Sequence, residues 1–130
     1  MNSTGTQETV NVAILRARCC ELIGDKLSGP DEGPSYFLLG LCSLLDAMLG
    51  QPMETAVAEL PLSDTVRQAL LGETNSARHI LDAVISHERG EWAEAAQITT
   101  LLSLPPEVLP NAYADSLKWA RELTQVAAAA

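Results

Sequence analysis

Apolar positions recur along the chain at helical spacing. In the first segment they fall at Val12, Leu15, Cys19 and Leu22, three or four residues apart, which places them on one face of a helix. Segment 76–89 follows the same rule more completely, with apolar residues at Ala77, Ile80, Leu81, Val84 and Ile85. We find no stretch with the strict apolar and polar alternation of a half-buried strand. The pattern therefore predicts an all-α fold.

Glycine and proline punctuate this pattern and divide it into roughly seven short-to-medium helices in one compact bundle. The predicted helices cover 7–27, 36–49, 52–60, the stretch between Ser63 and Gly72, 76–89, 91–102, and a last segment after Pro105 and Pro106. Trp92, Ala95 and Ala96 are expected to face inward. We expect a flexible segment at 1–9, one helical domain over 10–126 and a tail at 127–130.

Segment 36–49 differs from the others because it is apolar on nearly every side. A helix without a polar face is normally wrapped by its neighbours. The sequence therefore predicts a single central helix here, capped by Ser35 at its start and by Gly50 at its end.

The net negative charge of the chain disfavours some classes of binding partner. Seventeen acidic residues stand against eight basic ones, a formal net charge of −9, and such a surface repels nucleic acid and anionic lipid. The longest apolar run is too short to span a bilayer. Three cysteines, two of them adjacent, favour reduced thiols in a cytoplasmic protein. We expect neither a nucleic-acid nor a membrane partner.

Candidate chemistry is sparse. His79 with Asp82, or His87 with Glu91, has the spacing of a helical metal-ligand pair, but no further ligands lie at useful spacing. Cys19, Cys20 and Cys42 form no CxxC motif, and the chain has no phosphate-binding glycine loop or nucleophile elbow. We therefore predict no catalytic residue, no metal and no cofactor.

Segments 14–27, 36–72 and 80–95 together resemble the C-terminal part of the HDOD domain, a degenerate relative of the HD phosphohydrolases that is attached to EAL domains in bacterial signalling proteins. Within Gly-Leu-Cys-Ser-Leu-Leu-Asp at 40–46, the resemblance aligns Ser43 with the metal-binding His and Leu44 with the adjacent Asp. Leucine cannot ligate a divalent ion, and a lone serine hydroxyl is a poor ligand. The resemblance thus implies an HD site without its chemistry.

The function implied by this resemblance is a non-catalytic regulatory module in cyclic-di-GMP signalling, which contacts an EAL domain or another signalling domain. The N-terminal helices of an HDOD domain are not in this sequence, so we expect an uncovered strip on the first helix. The candidate interaction surface comprises Leu15, Arg16, Arg18, Cys19 and Leu22, and a homodimer through this helix is one prediction. The alternative function is a tetratricopeptide-like binding domain, because ERGEWAEAAQ resembles one helix of such a repeat.

Overall fold

The computed structural model describes residues 3–129. Within that range it consists of eight α-helices and one short 3₁₀ helix, without strands, which confirms the all-α prediction. The helices are α1 (Ser3–Ser28), α2 (Gly33–Cys42), α3 (Leu45–Leu49), α4 (Met53–Ala56), α5 (Asp64–Leu70), α6 (Ser76–Glu88), α7 (Trp92–Leu101) and α8 (Val108–Ala129), with the 3₁₀ helix over Pro30–Glu32. No helix in the described part of the chain has the length and apolar character needed to cross a membrane.

Helix α1 organises the bundle because it packs against α2, α6 and α8. Its buried residues include Cys19, Cys20 and Ile23, which join a core formed mainly by α2, α5 and α6. Small residues let α1 and α2 approach closely: a Cβ added at Gly40 would overlap the backbone of Arg16 and lie 2.5 Å from the amide nitrogen of Ala17. Glycine at position 40 is therefore a packing requirement.

The prediction of one helix over 36–49 is wrong. The helix ends at Cys42, and a two-residue turn at Ser43 and Leu44 separates α2 from α3. The Ser43 hydroxyl donates a hydrogen bond to the carbonyl oxygen of Gly40 at 2.7 Å, and such local side-chain bonds compete with helix continuation. Helix α3 contains no fully buried residue. Only the first half of this apolar segment is thus central.

Several helix ends also differ from the predicted ones. Helix α2 begins at Gly33 and not after Ser35, because Pro34 suits the first turn of a helix. The predicted cap at Ser63 is confirmed, since its hydroxyl accepts a hydrogen bond from the amide of Val66 at 3.3 Å. Gly50 closes α3 in the left-handed conformation, as expected.

The termini and α7 bring further corrections. Helix α1 begins at Ser3, before the predicted start at residue 7, and α8 continues to Ala129. The division into a flexible segment, one domain and a tail stays a prediction. Of the three residues predicted to face inward, Ala95 is buried, whereas Trp92 is 62% exposed and Ala96 is exposed as well. Helix α7 packs mainly against α6, which leaves its other side uncovered.

Candidate functional site

Ser43 and Leu44, the positions that the resemblance aligns with the HD pair, form the turn between α2 and α3. Besides donating to Gly40, the Ser43 hydroxyl accepts a hydrogen bond from Nη1 of Arg16 at 3.2 Å. Leu44 is half-buried. Both hydrogen-bonding directions of the Ser43 hydroxyl are thus used within the protein.

The Arg16 side chain is held in turn by Glu88 at the end of α6. Its Nε lies 2.8 Å from Oε2, and its Nη2 lies 3.0 Å from Oε1, which is the bidentate arrangement of a strong charge-assisted pair. The two side chains are only 11% and 14% exposed. We call Arg16, Glu88 and Ser43 the Arg16 network, and it ties together α1, α6 and the end of α2.

The three thiols lie in or near this region and are free and buried. Burial raises the pKa of the Cys19 thiol to about 12, although a hydrogen bond with Ser116 lowers it in part. Burial also raises the pKa of Cys20 and of Cys42. Thiols with raised pKa values are poor nucleophiles and poor metal ligands at neutral pH, so their placement serves packing.

The surroundings of the two histidines argue against the metal-ligand pairs that their spacing suggested. The ring of His87 lies between Trp92 and Tyr113, with centroid distances of 4.9 and 4.7 Å, and burial lowers its pKa against the opposing effect of Glu88. Asp82, the candidate partner of His79, instead pairs with Arg78 at 3.1 Å. Among residues 3–129 there is no group of three His, Cys, Asp or Glu side chains that could hold a metal ion.

The candidate interaction surface on α1 is only partly at the surface. Arg16 and Cys19 are buried inside the chain, so these two residues are not part of an exposed interaction surface. Residues four apart differ by about 40° around a helix axis, and this offset from Leu15 turns Cys19 toward the core. Arg18 lies at the α1–α8 seam, where it pairs with Glu21 and its guanidinium lies 5.6 Å from the ring centroid of Trp119. The interaction role of Leu15, Arg18 and Leu22 stays a prediction.

Leu15 and Leu22 line two different grooves between α1 and α8. The first, which we call the apolar groove, has a volume of about 240 Å³ and is lined by Asn11, Ile14, Leu15, Leu117, Ala120, Arg121, Leu123 and Thr124. The second, which we call the acidic groove, has a volume of about 700 Å³ and is lined by Leu22, Asp25, Lys26, Leu104, Pro105, Glu107, Val108, Asn111, Ala112 and Asp115.

Sequence reasoning missed Glu88 and the acidic groove. Glu88 lies 72 residues from Arg16, and no local periodicity links residues so far apart. The groove is formed by α1 together with the α7–α8 loop and α8. The only available signal was the loop itself, where Pro105, Pro106 and Glu107 follow Leu104.

Two curated proteins are similar to this chain. The uncharacterised protein YuxH of Bacillus subtilis is 35% identical over 116 residues, which is 89% of this chain and 28% of YuxH. The cyclic di-GMP phosphodiesterase CdgJ of Vibrio cholerae is 25% identical over 126 residues, or 97% of this chain and 29% of CdgJ. The chain thus spans less than a third of the length of these relatives. No protein-family model and no solved structure matches it.

Proposed function

We propose that this chain is an HDOD-like regulatory module that acts in cyclic-di-GMP signalling without catalysing a reaction itself. It works by contact with a protein domain, and an EAL domain is the partner that the resemblance favours. The signalling context is supported by the similarity to CdgJ, which extends over 97% of this chain. The matched region makes up 29% of the length of CdgJ.

The observation that carries the non-catalytic role is the Arg16 network. At the position aligned with the metal-binding His, the Ser43 hydroxyl is hydrogen-bonded to a guanidinium that Glu88 already neutralises. Binding a divalent ion there would require displacing a fixed positive charge and breaking a buried ion pair. Leu44, at the aligned Asp position, offers no ligand atom. The region acts as a structural joint between helices.

A chimera tests this proposal directly. In CdgJ, the region that matches this chain is replaced by the chain, and a second variant has the region deleted. We expect the chain alone to leave cyclic di-GMP intact, whereas the chimera hydrolyses it at a rate different from that of the deletion variant and closer to that of intact CdgJ. Equal rates for chimera and deletion variant would argue against a regulatory role. Hydrolysis by the isolated chain, abolished by Ser43→Ala, would argue against the non-catalytic part.

A further inference from the structure

The acidic groove combines an apolar base with a charged rim. Leu22 of α1, Leu104 of the α7–α8 loop and Val108 of α8 are half-buried, so each already presents part of its side chain to the groove. A volume of about 700 Å³ lies within the range of sites that receive a small ligand or a few anchoring side chains. The groove therefore offers room for apolar side chains from outside.

The rim gives this groove its chemical preference. Asp25, Glu107 and Asp115 supply three carboxylates against the single ammonium group of Lys26. Among the ion pairs formed by the described residues, none involves any of these four side chains. The Asp25 Oδ1 atom is buried beside Gly33 without a hydrogen-bond partner, so Asp25 adds negative charge near the rim without presenting that atom to the groove. Such a rim attracts cations and repels the phosphates of a cyclic dinucleotide.

We infer that the acidic groove binds a basic amphipathic segment of a protein partner, with apolar side chains on the Leu22, Leu104 and Val108 base and Lys or Arg side chains at the carboxylate rim. This inference rests on the proposed function and names its contact surface. Amphipathic helices that lie in apolar grooves are a recurrent mode of recognition. The unpaired carboxylates make the complementary charge on the partner positive.

The test uses a defined probe, because charge and amphipathic pattern must be separated. The probe is a fluorescein-labelled leucine–lysine peptide of about 14 residues with leucine at helical i, i+3, i+4 and i+7 spacing. Its control is a scrambled peptide of the same composition. We expect the patterned peptide to bind at least about tenfold more tightly than the scrambled one in fluorescence anisotropy. Equal binding of both peptides, or displacement of the probe by equimolar spermine, would overturn the inference because charge alone would suffice.

Matched variants then locate the binding site. Glu107→Lys with Asp115→Lys reverses two exposed charges at the rim, and Glu54→Lys with Glu59→Lys makes the same change at exposed positions in and after α4. We expect the rim pair to weaken peptide binding about tenfold or more and the control pair less than about twofold. Equal losses for both pairs would overturn the inference, as would amide chemical-shift changes centred on the apolar groove. Thermal melts check that each variant is folded.

The same rim variant in the CdgJ chimera distinguishes the two proposals. Suppose that the chimera hydrolyses cyclic di-GMP at a rate different from that of the deletion variant, and that the rim variant of the chimera has the same rate as the chimera. The inference then fails and the proposed function stands. In the opposite case, the chimera and the deletion variant hydrolyse cyclic di-GMP at the same rate, while the isolated chain binds the patterned peptide at its rim. The groove is then a binding site and the proposed function fails.

Discussion

Helix α1 borders two regions that differ in whether their charged side chains are paired. Toward α6 its Arg16 is buried and is matched by Glu88 and Ser43 with well-formed hydrogen bonds. Toward the α7–α8 loop, Asp25 and Lys26 border the acidic groove, whose rim carboxylates take part in none of the ion pairs among described residues. The first arrangement holds the bundle together. The second contributes repulsion, which is the expected sign of a surface suited to an external partner.

The largest effect is expected from breaking the Arg16 network at one end. Glu88→Leu leaves the Arg16 guanidinium buried without its counter-charge, which typically costs about 3–5 kcal/mol. We expect the free energy of unfolding, measured by urea denaturation, to fall by that amount. A loss below about 1 kcal/mol would show that Arg16 reaches water without cost and that the network is not a structural joint.

The double variant Arg16→Met with Glu88→Leu serves as the control for this change. Replacing both charged partners by apolar side chains of similar size is often neutral or even stabilising. We therefore expect the double variant to recover most of the stability lost by Glu88→Leu. If the two single losses simply added, the interpretation as a coupled pair would be wrong.

A smaller loss is expected where α1 and α2 approach each other. Gly40→Ala places a Cβ against the Arg16 and Ala17 backbone, and such overpacking costs about 1–3 kcal/mol. It also shifts the segment that carries Arg16. Gly50→Ala is the comparison, because its φ of 64° causes backbone strain while nothing lies within 4 Å of the added Cβ.

Urea denaturation compares these two glycine variants, and amide chemical shifts show where each acts. We expect changes at Arg16 and Glu88 for Gly40→Ala only. Changes confined to α2, without any effect on α1, would mean that the helices do not depend on this close approach.

The two regions also differ in how far sequence could predict them. Helix α6 and the Ser63 cap follow local rules of periodicity and capping, and both are confirmed. The turn at Ser43 was missed for two reasons. A segment that is apolar on nearly every side shows no helical periodicity whose interruption would mark a break, and serine is not a strong helix breaker. Trp92 was placed wrongly because periodicity shows which residues share a face but not whether another helix covers it. The Arg16–Glu88 pair and the acidic groove depend on tertiary placement, which one sequence does not encode locally.

A modest pH effect is expected at the edge of the buried region. Burial between Trp92 and Tyr113 lowers the pKa of His87 below 6.5 in the folded protein, with the Glu88 charge opposing the shift. The unfolded chain therefore binds this proton more readily, so the contribution to stability is present above pH 6.5 and is lost as pH falls through the folded-state pKa. We expect His87→Gln to flatten the dependence of the urea midpoint between about pH 7.5 and 5.5. An unchanged slope would mean that His87 titrates alike in both states.

The smallest change in the free energy of unfolding is expected at the rim of the acidic groove. The sign of that change shows whether a rim carboxylate has a structural role. Asp115 is exposed, lies within α8 and shares the groove with two further carboxylates, so Asp115→Asn should leave the free energy of unfolding unchanged or raise it by a few tenths of a kcal/mol. Asp64→Asn is the matched control, since Asp64 lies in the first turn of α5, where its negative charge stabilises the helix by about 0.3–1 kcal/mol. Both differences should shrink in about 1 M salt, where exposed charges are screened.

A loss of more than about 1 kcal/mol for Asp115→Asn would give this carboxylate a structural role. The acidic groove would then belong with the Arg16 network as part of the framework, and its unpaired charges would no longer argue for a partner.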